Sequence, residues 1–198
     1  MHINEVKTAF KIADVKYIPG STKLEFAYLE NLVDENGKAL PSTILKTNVS
    51  RVYLIVVDGI IKKIGASQDK GGIKGTFNIY KDGGVKGRPS IRSFGIWYFL
   101  YHNILEKKKI EFYMIFHEDF ESEVKGLFGT HKVSNASISC KLIEECCIKD
   151  YLKEENNKYP DWNVQEKGMD WPNEVKTKHS EITQKSLKRS TSRKKIKM

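Results

Sequence analysis

Arg51-Val-Tyr-Leu-Ile-Val-Val57, followed by Asp58-Gly59 and then by Ile60-Ile-Lys-Lys-Ile-Gly65, is the stretch on which the fold turns. Its first half is dense in β-branched and aromatic side chains, the residues that suit a pleated, buried surface. Asp-Gly can supply the positive φ that a two-residue hairpin turn needs at both of its central positions. An apolar run, Asp-Gly and a second apolar run therefore predict an antiparallel hairpin.

Moving outward toward the C-terminus, residues 65–87 are rich in Gly and Lys, with a strand-like patch, Thr-Phe-Asn-Ile-Tyr, at 76–80. Pro89-Ser90 opens a helix, since proline loses nothing in a first turn whose N–H groups have no intrahelical partner. Phe94, Trp97, Tyr101, Ile104 and Leu105 recur three and four residues apart, so one face of this helix is buried. Arg92 falls in its second turn, and Arg88 at its entrance. Residues 110–116, Ile-Glu-Phe-Tyr-Met-Ile-Phe, read as a third strand, followed by a polar loop and a second helix over about 139–155. Moving outward the other way, residues 10–17 are a candidate strand and 24–33 a hairpin or loop, together an accessory segment at 1–48.

Charge is unevenly spread. The chain carries 34 Lys and Arg against 25 Asp and Glu, a net +9. From Glu174 onward there are nine Lys/Arg and two Glu, so +7 of that +9 lies in the last stretch. Such a surplus favours a polyanionic partner, nucleic acid before membrane surface. Two readings of the tail stand: a solvated end and an electrostatic tether for DNA. With so few apolar residues, 166–198 is expected to be a basic, largely disordered tail. No run reaches the roughly 18 apolar residues of a membrane helix and no signal-peptide core opens the chain, so a cytoplasmic location is expected. Three cysteines, Cys140, Cys146 and Cys147, sit in one segment without Cys-x-x-Cys spacing. They suit core packing better than zinc or a disulfide framework. The glycines of 65–87 lack the Gly-Lys-Ser/Thr ending of a P-loop, which leaves a Lys-rich loop that contacts DNA or an ordinary mobile one.

The order of features resembles a known family. Val52-Tyr53-Leu54 stands where GIY-YIG nucleases have their first motif, and Lys63-Ile64-Gly65 where they have their second. An arginine on the next helix (Arg92), a glutamate on a later one (Glu144) and an asparagine beyond (Asn163) complete the pattern, over residues 51–163. The first motif departs from Gly-Ile-Tyr, and Lys63 replaces the second motif's tyrosine. Some restriction endonucleases of the superfamily carry lysine there, so the chain is most similar to that type II branch. The resemblance implies an α/β (α+β) core at 49–165, with a small, mostly antiparallel sheet flanked by helices. It also implies metal-dependent hydrolysis of duplex DNA with Mg²⁺ (or Mn²⁺). The alternatives are a phage-type homing or repair nuclease and a non-catalytic nucleic-acid-binding module. A palindromic target would be met most simply by a homodimer.

The roles the family implies fall on Tyr53 and Lys63 around the attacking water, Arg92 at the phosphate, and Glu144 as the metal ligand. A single carboxylate suits Mg²⁺, which keeps much of its hydration shell. A tyrosine is a weak base at its ordinary pKa, so Lys63 is expected to lower that of Tyr53. Glu144 is chosen over Glu145 on facial grounds. Its helical neighbours are Cys140, Cys147, Ile148 and Tyr151, whereas Glu145 has Lys141 and Lys149. The rival role for Glu144 is a rim residue bonded to lysine or tyrosine. Lys70, Lys74, Lys86, Arg88 and Asn163 are expected to bind DNA; Arg88 also stays open as the catalytic arginine, and Asn163 as a turn residue. His102 and His117 are the remaining acid/base candidates.

Overall fold

The 51–65 hairpin forms one side of the central sheet. In a computed structural model that describes residues 1–83 and 89–195, β5 (Ser50–Val57) pairs antiparallel with β6 (Ile60–Ser67). Between them Asp58 and Gly59 take φ values of 48° and 82°, left-handed conformations that a short polar Asp and a Cβ-free Gly tolerate. β5 is buried along almost its whole length because helices cover both faces of the sheet.

On the other side of β5 lies β7 (Ile110–His117), then β1 (Phe10–Tyr17) and β2 (Leu24–Tyr28). The order is β2-β1-β7-β5-β6 and every neighbouring pair is antiparallel. The fold is therefore a mixed α/β architecture built on a five-stranded antiparallel sheet. Residues 1–48, expected as an accessory segment, supply two strands of this sheet, with Ile12, Ala13 and Leu24 in the main core, and a separate short ladder of β3 (Leu32–Val33) with β4 (Ala39–Leu40).

One face of the sheet packs against α1 (Gly72–Tyr80) and α2 (Ile91–Leu105) through Tyr53, Ile55, Phe77, Phe94 and Phe112. The opposite face packs against α3 (Cys140–Glu154) through Val52, Leu54, Val56, Ile64 and Tyr151. Four expectations change here. Residues 76–80 are helical, because Ile73, Phe77 and Tyr80 are buried at helical rather than alternating spacing. The helix expected from Pro89 starts at Ile91, after Ser90 caps it by accepting the Ser93 N–H at 3.2 Å, which puts Arg92 in the first turn.

The polar loop after β7 is a second hairpin, β8 (Phe120–Gly126) with β9 (Gly129–Ala136), forming its own two-stranded sheet. The tail, expected to be largely disordered, contains α4 (Asn173–Lys195). Trp171 and Val175 are buried, Ile182 packs on the core and His179 lies 5.5 Å from the Phe94 ring. Three positions at helical spacing suffice there because α2 offers an aromatic face. Among the described residues no helix is long and apolar enough to cross a membrane.

Candidate active site

The open edge of β6 organises the site. Its outward-pointing backbone groups would invite another strand unless covered. Lys62 O accepts the Trp162 N–H at 2.8 Å. Asn163 then takes both polar groups of Ile64, accepting its N–H at 2.9 Å and donating to its carbonyl at 2.8 Å. Two residues further on, the Glu144 carboxylate accepts the Ala66 N–H at 2.8 Å. Glu144 thus reaches the sheet from α3 as the apolar placement of its helix face requires. That bond commits one of its two oxygens.

A cleft of about 410 Å³ opens beside this edge, lined by Tyr53, Ala66, Gln68, Tyr80, Arg92, Ser93, Lys141 and Glu144. Tyr53 reaches it from the middle of β5, packed so closely over Gly65 that a Cβ there would lie 2.5 Å from its ring and hydroxyl. The Tyr53 and Tyr80 hydroxyls are hydrogen-bonded at 2.7 Å. Arg92, on the first turn of α2, is 44% exposed at its side chain and bonds Glu166 at 3.3 Å. Lys63 shares the Tyr53 face of the sheet, since its register partner is Ile55. It is buried, with its ammonium 3.8 Å from the same Glu166 carboxylate.

The electrostatics reverse one expectation. Burial, followed by the neighbouring Tyr80, raises the Tyr53 phenol well above its ordinary value of 10, so Lys63 does not make it a ready anion. The lysine itself is the loosened group: burial lowers its pKa from 10.5 to about 8, with Glu166 opposing and Arg92 assisting the fall. More of Lys63 is therefore free amine at neutral pH than of an exposed lysine.

Three of the expected site residues, Tyr53, Arg92 and Glu144, line this cleft, and a fourth, Lys63, is buried and linked to Arg92 through Glu166. Others do not line it. Asn163 is fully buried, with its amide committed to Ile64, so it fixes β6 instead of reaching a phosphate. Lys70 is exposed in the turn before α1, and Lys74 lies 4.3 Å over the Tyr28 ring; neither lines the cleft. Lys86 and Arg88 lie outside the described residues. The His102 ring lies 4.1 Å from that of Tyr98, tilted by 39°, and His117 is exposed at the end of β7; neither lines the cleft. Cys140 is buried and Cys147 half-buried, its thiol pushed up to about 11 by burial.

Sequence reading missed Tyr80, Glu166 and Lys141. Nothing local marks Glu166, while Tyr80 was hidden by reading its helix as a strand. Arg51 was missed too. It is buried, and its guanidinium donates to Thr47 O, Val49 O, Asp69 O and Ser67 Oγ, pinning the loops at this end of the sheet.

Among the described residues no three His, Cys, Asp or Glu side chains are grouped to hold a metal. A cation here would have Glu144 as its protein ligand and water or substrate oxygens for the rest. That donor set fits a hard, hydrated ion such as Mg²⁺ and does not fit zinc.

No protein-family model and no curated protein matches the sequence. Two solved structures are similar to it in fold. A mutant of bacteriophage T4 EndoII aligns with 83% of this chain and 99% of its own, at 16% identity and a TM-score of 0.49. The restriction endonuclease HPY188I, in complex with product DNA, aligns with 81% of this chain and 84% of its own, at 21% identity and a TM-score of 0.43.

Proposed function

We propose that this chain is a GIY-YIG endonuclease that hydrolyses phosphodiester bonds in duplex DNA with Mg²⁺ or Mn²⁺, cutting at a specific site as type II restriction enzymes do. The observation that carries the proposal is the cleft itself. A cation, Arg92, and a carboxylate, Glu144, face one open space together with a phenol, and a buried lysine with a lowered pKa lies on the same face of the sheet.

These groups divide the reaction between them. Arg92 balances the charge that builds on the phosphate oxygens as a water oxygen bonds to phosphorus and one P–O ester bond breaks. The hydrogen-bonded hydroxyls of Tyr53 and Tyr80 orient that water. Neutral Lys63 is the group able to take its proton, and the departing oxygen regains one from solvent. A divalent ion on Glu144 would supply further charge neutralisation at the phosphate. Glu166 holds Lys63 and Arg92 in place from the segment that also covers the β6 edge. A palindromic target would pair with a homodimer of this chain.

Glu166 occupying both cations favours a second reading, a module that binds nucleic acid without cutting it. Incubation of the protein with plasmid DNA, in Mg²⁺ or in EDTA, separates the two. Discrete fragments that need Mg²⁺ are the expected result. Retarded but uncut plasmid in both conditions would establish the binding module instead.

A further inference from the structure

The hairpin of β8 and β9 takes no part in the cleft, yet it carries the most exposed large apolar side chains of the described residues. Leu127 is 93% exposed and Phe128 101% exposed, side by side at the apex between Gly126 and Gly129. Among the described residues the hairpin pairs with no other strand. At about 3.3 Å per residue its seven- to eight-residue strands carry that apex roughly 23 Å from the root.

The root lies at the cleft end of the molecule. His117, just before β8, pairs with Ser50, and residues 137–140, just after β9, line a hollow with Ser67 and Gln68. Gln68 also lines the cleft. Charge is sorted along the hairpin. The acids Glu118, Asp119, Glu121 and Glu123 sit in the root half, where Lys132 lies directly across from Glu123, while residues 124–131 contain Lys125 and His131 and no acid.

We infer that this hairpin is a duplex-probing arm whose Leu127-Phe128 apex wedges into a base step of the DNA held at the cleft; this rests on the function proposed above. Apolar wedges that part a base step are one or two side chains such as Leu and Phe, set beside polar or basic groups; Lys125 stands next to Gly126 here. The apex offers that and nothing larger. Two such side chains present roughly 350 Å², less than half of the ~800 Å² per partner that a stable protein interface buries. The acid-free tip suits a polyanion, and the acidic root keeps the strands themselves off the backbone. At 3.4 Å per base pair, an arm of that length spans at most roughly seven pairs.

The test needs no knowledge of the recognition sequence. Closed-circular plasmid is bound by the full chain in EDTA, relaxed with a metal-independent type I topoisomerase, and its topoisomers are resolved; cutting in Mg²⁺ and light scattering run in parallel. Wild type is expected to shift the topoisomers, because a wedge unwinds the duplex. The Leu127→Ala/Phe128→Ala double variant, whose side chains support no core, is expected to lose the shift while keeping its oligomeric state. A variant that unwinds like wild type, or a wild type that cuts without unwinding, overturns the wedge. A variant that changes the oligomeric state makes the apex a contact between copies and overturns it as well. A wild type that neither binds nor cuts refutes the underlying nuclease function, and the wedge with it.

Discussion

Replacing Lys63 with methionine should stabilise this protein at neutral pH while abolishing its chemistry. The ammonium is buried, its pKa lowered from 10.5 to about 8 chiefly by burial. At about 1.4 kcal/mol per pH unit, that fall corresponds to roughly 3 kcal/mol of folding free energy lost to keeping the charge inside. The sign follows from proton binding. Below pH 8 both folded and unfolded chains hold the proton and the full penalty is felt. Between about 8 and 10.5 the folded chain has released its proton while the unfolded chain retains it, so stability rises with pH. Above 10.5 the penalty is gone.

Methionine has a similar unbranched stem and carries no charge, so it should fill the site without this cost. Glu166 keeps its bond to Arg92 in the variant. Urea denaturation of both proteins at pH 7 and at pH 10 measures the difference directly, and subtracting one from the other cancels every other titrating group. Lys63→Met is expected to lead by about 3 kcal/mol at pH 7, or roughly 6–12 °C in Tm, and the gap should narrow steeply by pH 10. A variant less stable than wild type at pH 7, or a gap that does not change with pH, would refute the burial argument and with it the case for Lys63 as a loosened base.

Glu144→Gln keeps an acceptor for the Ala66 N–H, so its stability should stay within about 0.5 kcal/mol of wild type while plasmid cutting is lost; Glu144→Ala should lose both, at about 1–3 kcal/mol. Full cutting by Glu144→Gln would remove the glutamate from the chemistry. Asn163→Ala strips two hydrogen bonds from the buried Ile64 backbone and should cost at least about 2 kcal/mol by denaturation, whereas a DNA contact would show as weaker binding at unchanged stability. If neutral Lys63 takes the proton, kcat/KM should climb as pH rises toward about 8 and level off above it; a rate that is flat from pH 6 to 9 speaks against that role.

Local chemistry made much of this molecule readable from its sequence. The 51–65 hairpin is specified by Asp58-Gly59 and two apolar runs, α2 by its aromatic stripe, and Glu144 over Glu145 by the neighbours each has one turn away. Each signal lies within a few residues, where turn geometry and helical period act directly. The second hairpin escaped because it buries no face and so shows no alternation. α1 escaped because Gly72 and Gly75 masked the spacing of Ile73, Phe77 and Tyr80. What only the tertiary structure decided involves partners far apart in the chain. β1 joins β7, Asn163 grips Ile64 across 99 residues, and Glu166 gathers Lys63 and Arg92. Nothing in the local sequence encodes those meetings, because they follow from which elements pack together. Burial in that packing gives Lys63 its lowered pKa and Tyr53 its raised one.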